Sequence, residues 1–223
     1  TSCGVRIDSG DITYLTKKCR KLLDEAGWET ANIVVSNSLD EYIIRDILLQ
    51  GAQIDSFGVG ERLITSKSEP VFGGVYKLVA VEENGEIRPK IKISENVIKI
   101  TNPYFKKVYR LYSKETGMAI ADVLTTFDET IDSSRPYEIF DPRNTWKRKL
   151  VTDFEAVELQ VPIFQSGMCV YQSPTLSEIK DYCKDRLDTI WDEVKRFENP
   201  HEYYVDLSQK LWDIRYDLLS AYN

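Results

Sequence analysis

Short apolar runs alternate with helical patterns over the first 65 residues of the chain. Three runs are typical of buried strands, because each is apolar and bounded by polar or glycine-containing turns; they span residues 4–7, 33–35 and 54–57. Between them, apolar residues recur every three or four positions, which predicts helices over 12–26 and 42–48. Alternation of strands and helices favours parallel strands, since each crossover helix returns the chain to the same end of the sheet.

Polar residues indicate where these helices begin. Residues 38–41 read Ser-Leu-Asp-Glu, the spacing of a capping box in which Ser38 caps the helix and Glu41 reaches back to it. Asp11 is placed to cap the first helix. For Asp8 and Asp11, capping is therefore an alternative to ligand binding.

The pattern becomes antiparallel after about residue 70. Strands with one solvated face are predicted at 75–81, 87–93, 108–112 and 119–124. Asn84-Gly85 is typical of a two-residue hairpin turn. We interpret residues 126–149, which hold two prolines and a basic cluster, as a solvated connection rather than a ligand patch.

The end of the chain is predicted to be helical. Thr175 and Glu178 form a second capping box, and apolar residues then recur at helical spacing as far as Phe197. A further helix begins near residue 206 or 208, with Tyr222 on its apolar face. The apolar faces of these two helices are predicted to pack in the core or to form a docking surface. The sequence thus predicts two regions, 1–72 and 73–223, the second with antiparallel strands at about 75–125 and helices at about 175–222.

Composition excludes several classes of protein. Apolar residues make up 42% and charged residues 29%, so a disordered or collagenous chain is excluded. The net charge of −7 argues against a general nucleic-acid or anionic-membrane binder. No stretch has the length and apolarity of a membrane span. The expected protein is cytoplasmic.

Cysteines and histidine offer little chemistry. Cys3, Cys19, Cys169 and Cys183 are far apart and lack metal-ligand spacing, so we expect reduced thiols and no metal site. Cys19 and Cys183 lie on apolar helix faces, which favours core packing. His201 has no nucleophile or metal-ligand partner nearby in sequence, so a histidine-based mechanism is not built from this chain.

Three polar motifs follow the three predicted parallel strands, at residues 8–11, 36–38 and 58–62. Because the carboxyl ends of parallel strands meet at one edge, the motifs should converge on one crevice. Gly58 and Gly60 let backbone N–H groups approach a phosphate, and Arg62 could either add charge or point to solvent. Asp8 could accept hydrogen bonds from a ribose diol, with Arg6 beside an anionic or planar group. The crevice predicts a phosphorylated-sugar ligand, although Ser36 and Asn37 could equally form a turn.

In this order and spacing the motifs at 4–11, 35–41 and 57–65 resemble the nicotinate phosphoribosyltransferase family, and the likeness extends through residues 73–79 to 205–208. The resemblance implies an α/β fold: the C-terminal part of an irregular type II phosphoribosyltransferase barrel, with three parallel βα units, antiparallel strands and a helical region. It also implies formation of nicotinate mononucleotide from nicotinate and 5-phosphoribosyl 1-diphosphate in NAD biosynthesis. ATP hydrolysis and Mg²⁺ belong to that reaction.

The resemblance also implies roles for individual residues. Arg6 and Asp8 would be catalytic, flanking base and ribose. Substrate-binding roles would fall to Ser9, Ser36, Asn37, Gly58, Val59, Gly60, Glu61 and Arg62. The Ser-Asn-Ser and Gly-Val-Gly-Glu-Arg motifs favour the nicotinate enzyme over its nicotinamide-specific relative.

The chain also departs from the family pattern. The catalytic histidine and the segments that hold nicotinate and diphosphate precede the first motif in the family, and His201 matches no such position. We therefore expect a C-terminal fragment, inactive alone, whose partners are the missing N-terminal part, nicotinate, 5-phosphoribosyl 1-diphosphate and ATP, with a homodimer possible. The alternatives are a nicotinamide or quinolinate phosphoribosyltransferase, or a non-catalytic sugar-phosphate-binding α/β module.

Overall fold

A computed structural model describes residues 3–71 and 73–221 of the chain. The fold is mixed α/β and divides into two compact units, Thr1–Val75 and Tyr76–Asn223. Within the described residues, no helix combines the length and apolarity needed to cross a membrane.

Unit 1 is built on a small parallel sheet. Its elements are β1 (Gly4–Ile7), α1 (Ile12–Glu25), β2 (Asn32–Val35), α2 (Glu41–Leu49), β3 (Ser56–Phe57) and α3 (Glu61–Ile64). The sheet order is β1-β2-β3, and both strand pairs are parallel. The chain therefore brings three strand ends to one edge.

The central strand β2 anchors this unit. Ile33 and Val35 are fully buried, and Val35 packs with Leu39 and Ile47 in one cluster. Gly4 lets β1 approach β2 closely, because a Cβ at this position would lie 2.5 Å from the carbonyl oxygen of Asn32. Ile33 and Val35 point to the same face and the opposite face is half-buried, so β2 buries one face fully and the other in part.

The two long helices of unit 1 have aspartate caps. Asp11 Oδ1 accepts from Tyr14 N at 2.9 Å, so the capping role considered for Asp11 is confirmed. The capping box predicted at Ser38 is wrong. Asp40 caps α2 by accepting from Ile43 N at 2.8 Å, because Ser38 has a positive φ of 47° and the helix starts only at Glu41.

Unit 2 is mainly antiparallel. Its strands are β4 (Ala80–Glu83), β5 (Glu86–Pro89), β6 (Lys106–Ser113), β7 (Ala119–Thr126), β8 (Tyr137–Phe140), β9 (Arg148–Val151), β10 (Phe154–Glu158), β11 (Phe164–Gln165), β12 (Met168–Cys169) and β13 (Val205–Leu207). Its helices are α4 (Leu176–Asp188) and α5 (Gln209–Ser220), with a short 3₁₀ turn at Val97–Lys99. The largest sheet has the order β10-β6-β7-β13, and β13 runs parallel to β7.

The core of unit 2 lies against this sheet. Leu111, Val123 and Phe154 are fully buried in one cluster. On strands β6 and β7, the Arg110 guanidinium pairs bidentately with Asp122, with Nε–Oδ1 at 2.7 Å and Nη2–Oδ2 at 2.9 Å. The Asp122 hydrogen bond holds the pKa of Arg110 above its usual range.

Some of the predicted strands differ from the structure. The hairpin at Asn84-Gly85 is confirmed, with φ of 55° and 80° at the two positions. The strand predicted at 75–81 starts only at Ala80, and the one at 87–93 ends at Pro89. Interpreting 126–149 as a solvated connection is wrong, because β8 lies within it and β9 begins there. Ile139 and Phe140 of β8 are buried.

The C-terminal region contains less helix than predicted. The capping box of Thr175 and Glu178 is confirmed, but α4 ends at Asp188, well before Phe197. Core packing of Cys183 is wrong, since it is exposed, as are Leu176 and Tyr182 on the same helix. Cys19 is half-buried. Ser208 caps α5, and Tyr222 lies outside the described residues.

Candidate functional site

A cavity of about 290 Å³ lies at the carboxyl ends of β1, β2 and β3 in unit 1. It is lined by Arg6, Asp8, Ser36, Asn37, Ser38, Leu39, Gly58, Gly60, Glu61, Arg62 and Lys67. The structure therefore brings eight of the ten predicted site residues together. Ser9 and Val59 do not line the cavity, and Val59 packs instead against the apolar cluster around Val35.

Strand pairing explains this convergence. The backbone N–H of Ser36 donates to Ile7 O at 3.0 Å, which ties the residue after β2 to the end of β1. The N–H of Gly58 donates to Val35 O at 2.7 Å and ties the residue after β3 to the end of β2. Residues after each strand are thus held side by side by the sheet itself.

Asp8 is the best-defined acceptor in the cavity. Its Oδ1 accepts from Ser36 Oγ at 2.5 Å, and its Oδ2 lies 3.6 Å from Arg6 Nη2. Asp11 rather than Asp8 caps α1, so the carboxylate of Asp8 is not used by the helix. More than half of each side chain of Arg6 and Asp8 is exposed, which leaves both accessible to a ligand.

The turn after β2 has an unusual backbone. Asn37 and Ser38 have φ of 97° and 47°, so two consecutive non-glycine residues lie in the left-handed region. Such conformations cost free energy and cluster at ligand sites. The turn considered for Ser36 and Asn37 is present, and it faces the same cavity.

Arg62 and Lys67 both line the cavity, and Lys67 was not among the residues predicted from the sequence. The Arg62 guanidinium forms an ion pair with Asp40, whereas Lys67 has no ion partner among the described residues. The backbone N–H of Ile43, together with Arg62, holds the pKa of Asp40 below its usual range. The sequence did not indicate Lys67, because it lies beyond the third motif and reaches the cavity only through the turn after α3. In that turn Lys67 N donates to Arg62 O.

Unit 2 has a second and larger cavity, of about 770 Å³. Its polar lining includes Asp141, Arg143, Lys147, Lys149, His201 and Asp206. Arg143, Lys147 and Lys149 belong to the basic cluster in residues 126–149, which we interpreted as solvated, and they lie at this cavity. His201 is exposed there, and its ring centroid lies 5.7 Å from that of Tyr204.

Asp206 gives unit 2 an expected pH dependence. Burial, with a smaller contribution from Asp141, raises the pKa of Asp206 from 3.8 to about 6. The folded state then binds a proton more tightly than the unfolded state, so stability falls as pH rises from about 4 to about 6. Asp206→Asn should therefore raise the free energy of unfolding at neutral pH, by at most about 3 kcal/mol, and this gain should vanish toward about pH 4.

Urea denaturation of both proteins across this pH range measures the effect. Asp141, Arg143, Lys147, Lys149 and His201 line the same cavity and are unchanged in both proteins. Asp185→Asn, at an exposed position on α4, is the matched control. A stability difference between the wild type and Asp206→Asn that stays constant with pH would contradict this prediction.

Comparison with known proteins gives the class of protein. A family model described as nicotinate phosphoribosyltransferase C-terminal domain matches residues 105–215. The chain is similar to the human nicotinic acid phosphoribosyltransferase crystal structure, with a TM-score of 0.74 and 26% identity over 98% of this chain and 40% of that one. The mixed α/β fold is therefore one found in a phosphoribosyltransferase.

Sequence relatives narrow the assignment. The chain is 44% identical to nicotinate phosphoribosyltransferase of Bacillus subtilis, covering 94% of this chain and 43% of the relative. It is 34% identical to that of Dictyostelium discoideum, covering 96% and 38%. The chain belongs to the nicotinate phosphoribosyltransferase family, as its motifs predicted, and spans about two fifths of the length of these relatives.

Proposed function

We propose that this chain supplies the phosphoribosyl-binding half of a nicotinate phosphoribosyltransferase active site. The complete enzyme would join nicotinate to 5-phosphoribosyl 1-diphosphate, coupled to ATP hydrolysis, in NAD biosynthesis. The observation that carries the proposal is the unit 1 cavity, where one sheet edge places Asp8, Ser36, Asn37 and Gly58 together in a member of this family. The three parallel strands would be part of the α/β barrel of the complete enzyme.

Asp8 would hold the ribose. An ionised carboxylate accepts hydrogen bonds only, so its free lone pairs suit the two hydroxyl donors of a ribose diol. The Ser36 hydroxyl fixes its orientation by donating to Oδ1. Arg6, 3.6 Å from the other oxygen, would lie beside the carboxylate or ring of the base.

The 5-phosphate would lie against the third strand end. Gly58 and Gly60 carry no side chain there, and a Cβ at Gly60 would meet no atom within 4 Å, so a ligand can approach the backbone N–H groups. Glu61 follows them in the lining, and Lys67 adds the positive charge that we first expected from Arg62. Because the side chains of Ser9 and Val59 do not line the cavity, any contact of these two residues with the ligand would be made by their backbone.

The transfer breaks the bond between ribose C1 and the diphosphate oxygen while the pyridine nitrogen of nicotinate bonds to C1. Positive charge develops on the ribose, and the carboxylate of Asp8 would stabilise it. Mg²⁺ would neutralise the leaving diphosphate. The described residues contain no group of three or more His, Cys, Asp or Glu side chains placed to hold a metal ion.

The other components would come from outside this chain. The remaining three fifths of the family's length would supply the contacts to nicotinate, diphosphate and ATP, including the phosphorylated histidine that His201 does not match. A cytoplasmic homodimer is the assembly we propose. The chain alone would bind a phosphoribosyl group without turning it over.

Calorimetric titration of the 223-residue chain with ribose 5-phosphate tests this function. We expect saturable binding that weakens about tenfold in Ser36→Ala, because the Asp8 carboxylate loses its orienting donor. Ser173→Ala, at an exposed position in unit 2, is the control. Absence of binding, or equal binding by Ser36→Ala, would refute the ribose site. Formation of nicotinate mononucleotide by the chain alone would refute the division of the active site.

A further inference from the structure

Asp206 is a buried carboxyl that lines the unit 2 cavity without a partner. It lies on β13, in register with Val123 of β7, and only 4% of its surface is exposed. No described residue donates a hydrogen bond to its carboxyl or forms an ion pair with it; its one charged influence is the like charge of Asp141. Buried carboxyls are ordinarily hydrogen-bonded, so this one has acceptor capacity facing the cavity.

The cavity walls suit a flat ring. Apolar and aromatic residues are part of its lining, among them Ile120, Ile139, Phe140, Tyr203 and Tyr204. Its volume of about 770 Å³ falls within the range of small-molecule sites. Aromatic and apolar walls around one buried acceptor favour a planar ring that carries N–H donors.

The cavity also has a basic side. Lys147 and Lys149 are exposed there, and neither forms an ion pair with any described residue. The Lys147 ammonium lies 5.3 Å from the centroid of the Trp146 ring. Arg143, in contrast, is held by Glu202 at 2.7 Å across the same cavity. Two lysines with no ion-pair partner among the described residues provide the charge that a phosphate requires.

We propose that this cavity is a binding site for a nucleoside phosphate, in which Asp206 accepts N–H groups of the base and Lys147 and Lys149 bind the phosphate. A simple amine would use Asp206 and leave the lysines unused. Inorganic phosphate would use the lysines and leave the buried acceptor unpaired. Guanine matches the site well, because its adjacent N1–H and N2–H groups face one carboxylate without an acceptor between them. All residues that line this cavity belong to unit 2, and none of them lines the unit 1 cavity.

Calorimetric titration of the 223-residue chain with GMP tests the proposal, with AMP, ribose 5-phosphate and inorganic phosphate as comparisons. We expect GMP to bind, and its affinity to fall at least about tenfold in Asp206→Asn, which keeps the shape but replaces an acceptor by an amide. Lys147→Ala/Lys149→Ala should cause a similar loss. Asp185→Asn and Lys180→Ala/Lys184→Ala, all at exposed positions on α4, are the matched controls.

The outcomes of these titrations distinguish nucleotide binding in the unit 2 cavity from binding at the phosphoribosyl site of unit 1. If GMP affinity falls in the cavity variants and ribose 5-phosphate binding does not, the unit 2 site is supported independently of unit 1. If GMP does not bind up to about 1 mM, or binds equally to both cavity variants, the proposal is overturned. GMP binding that is lost only in Ser36→Ala would place the nucleotide in unit 1 and overturn it as well. Circular dichroism of Asp206→Asn checks its fold, and if that variant does not fold, the GMP affinity of the lysine variant decides the matter.

Discussion

Asp8→Asn in the complete enzyme is expected to lower kcat/KM for nicotinate mononucleotide formation by about 10²- to 10³-fold. The substitution keeps the size of the side chain and removes the charge opposite the ribose. That charge matters most when the ribose becomes cationic, so the loss should appear in kcat more than in KM. Steady-state kinetics with both substrates provide the measurement.

A matched control separates this effect from folding. Asp46→Asn makes the same change at an exposed position on α2, outside the cavity lining, and should leave kcat/KM unchanged. Ser36→Ala should give a smaller loss than Asp8→Asn, because it removes the orienting hydroxyl and keeps the charge. Wild-type turnover by Asp8→Asn would show that the carboxylate is only structural.

Leu111→Ala is expected to lower the free energy of unfolding of unit 2 by about 3 kcal/mol. Leu111 is fully buried on β6, where Val123 and Phe154 belong to the same cluster. Removing its branched end leaves a cavity that neighbouring strands, fixed by hydrogen bonds, cannot close. The loss should appear as a lower urea midpoint with an unchanged slope.

Tryptophan fluorescence suits this measurement, because Trp146, Trp191 and Trp212 lie in unit 2 and only Trp28 lies in unit 1. Leu150→Ala is the control, since the Leu150 side chain on β9 is 62% exposed and its truncation should cost less than about 0.5 kcal/mol. Equal destabilisation by the two substitutions would contradict the assignment of the core to the β6–β7–β10 sheet.

Local pattern was sufficient for the arrangement of unit 1. The apolar run at 33–35 forms the central strand, with Ile33 and Val35 fully buried on one face. Polar residues after each strand meet at one cavity because strand pairing aligns them. The local pattern did not predict which basic side chain at the cavity lacks an ion-pair partner. Arg62 lies in the third motif, but its guanidinium is taken by Asp40, 22 positions earlier in the chain. Such competition between a ligand and a distant side chain has no local pattern.

Unit 2 was harder to predict because its strands depend on distant partners. β13 is three residues long and exists through its register with β7, so no periodicity could indicate it. The apolar stripe of α4 was found, but Leu176 is 74% exposed and Leu187 is 53% exposed. Helical spacing predicts that a face is apolar and does not identify what covers that face.

The position of β13 also has a consequence for how the protein is made. Its pairing of Val205–Leu207 with Asp122–Leu124 joins segments about 80 residues apart, and β7 has no neighbour on that side until these residues leave the ribosome. During most of synthesis of unit 2, β7 therefore carries an open hydrogen-bonding edge beside a nascent apolar core. The cavity that holds Asp206 is completed at the same late moment, so a ligand bound there would favour closure of the sheet by mass action.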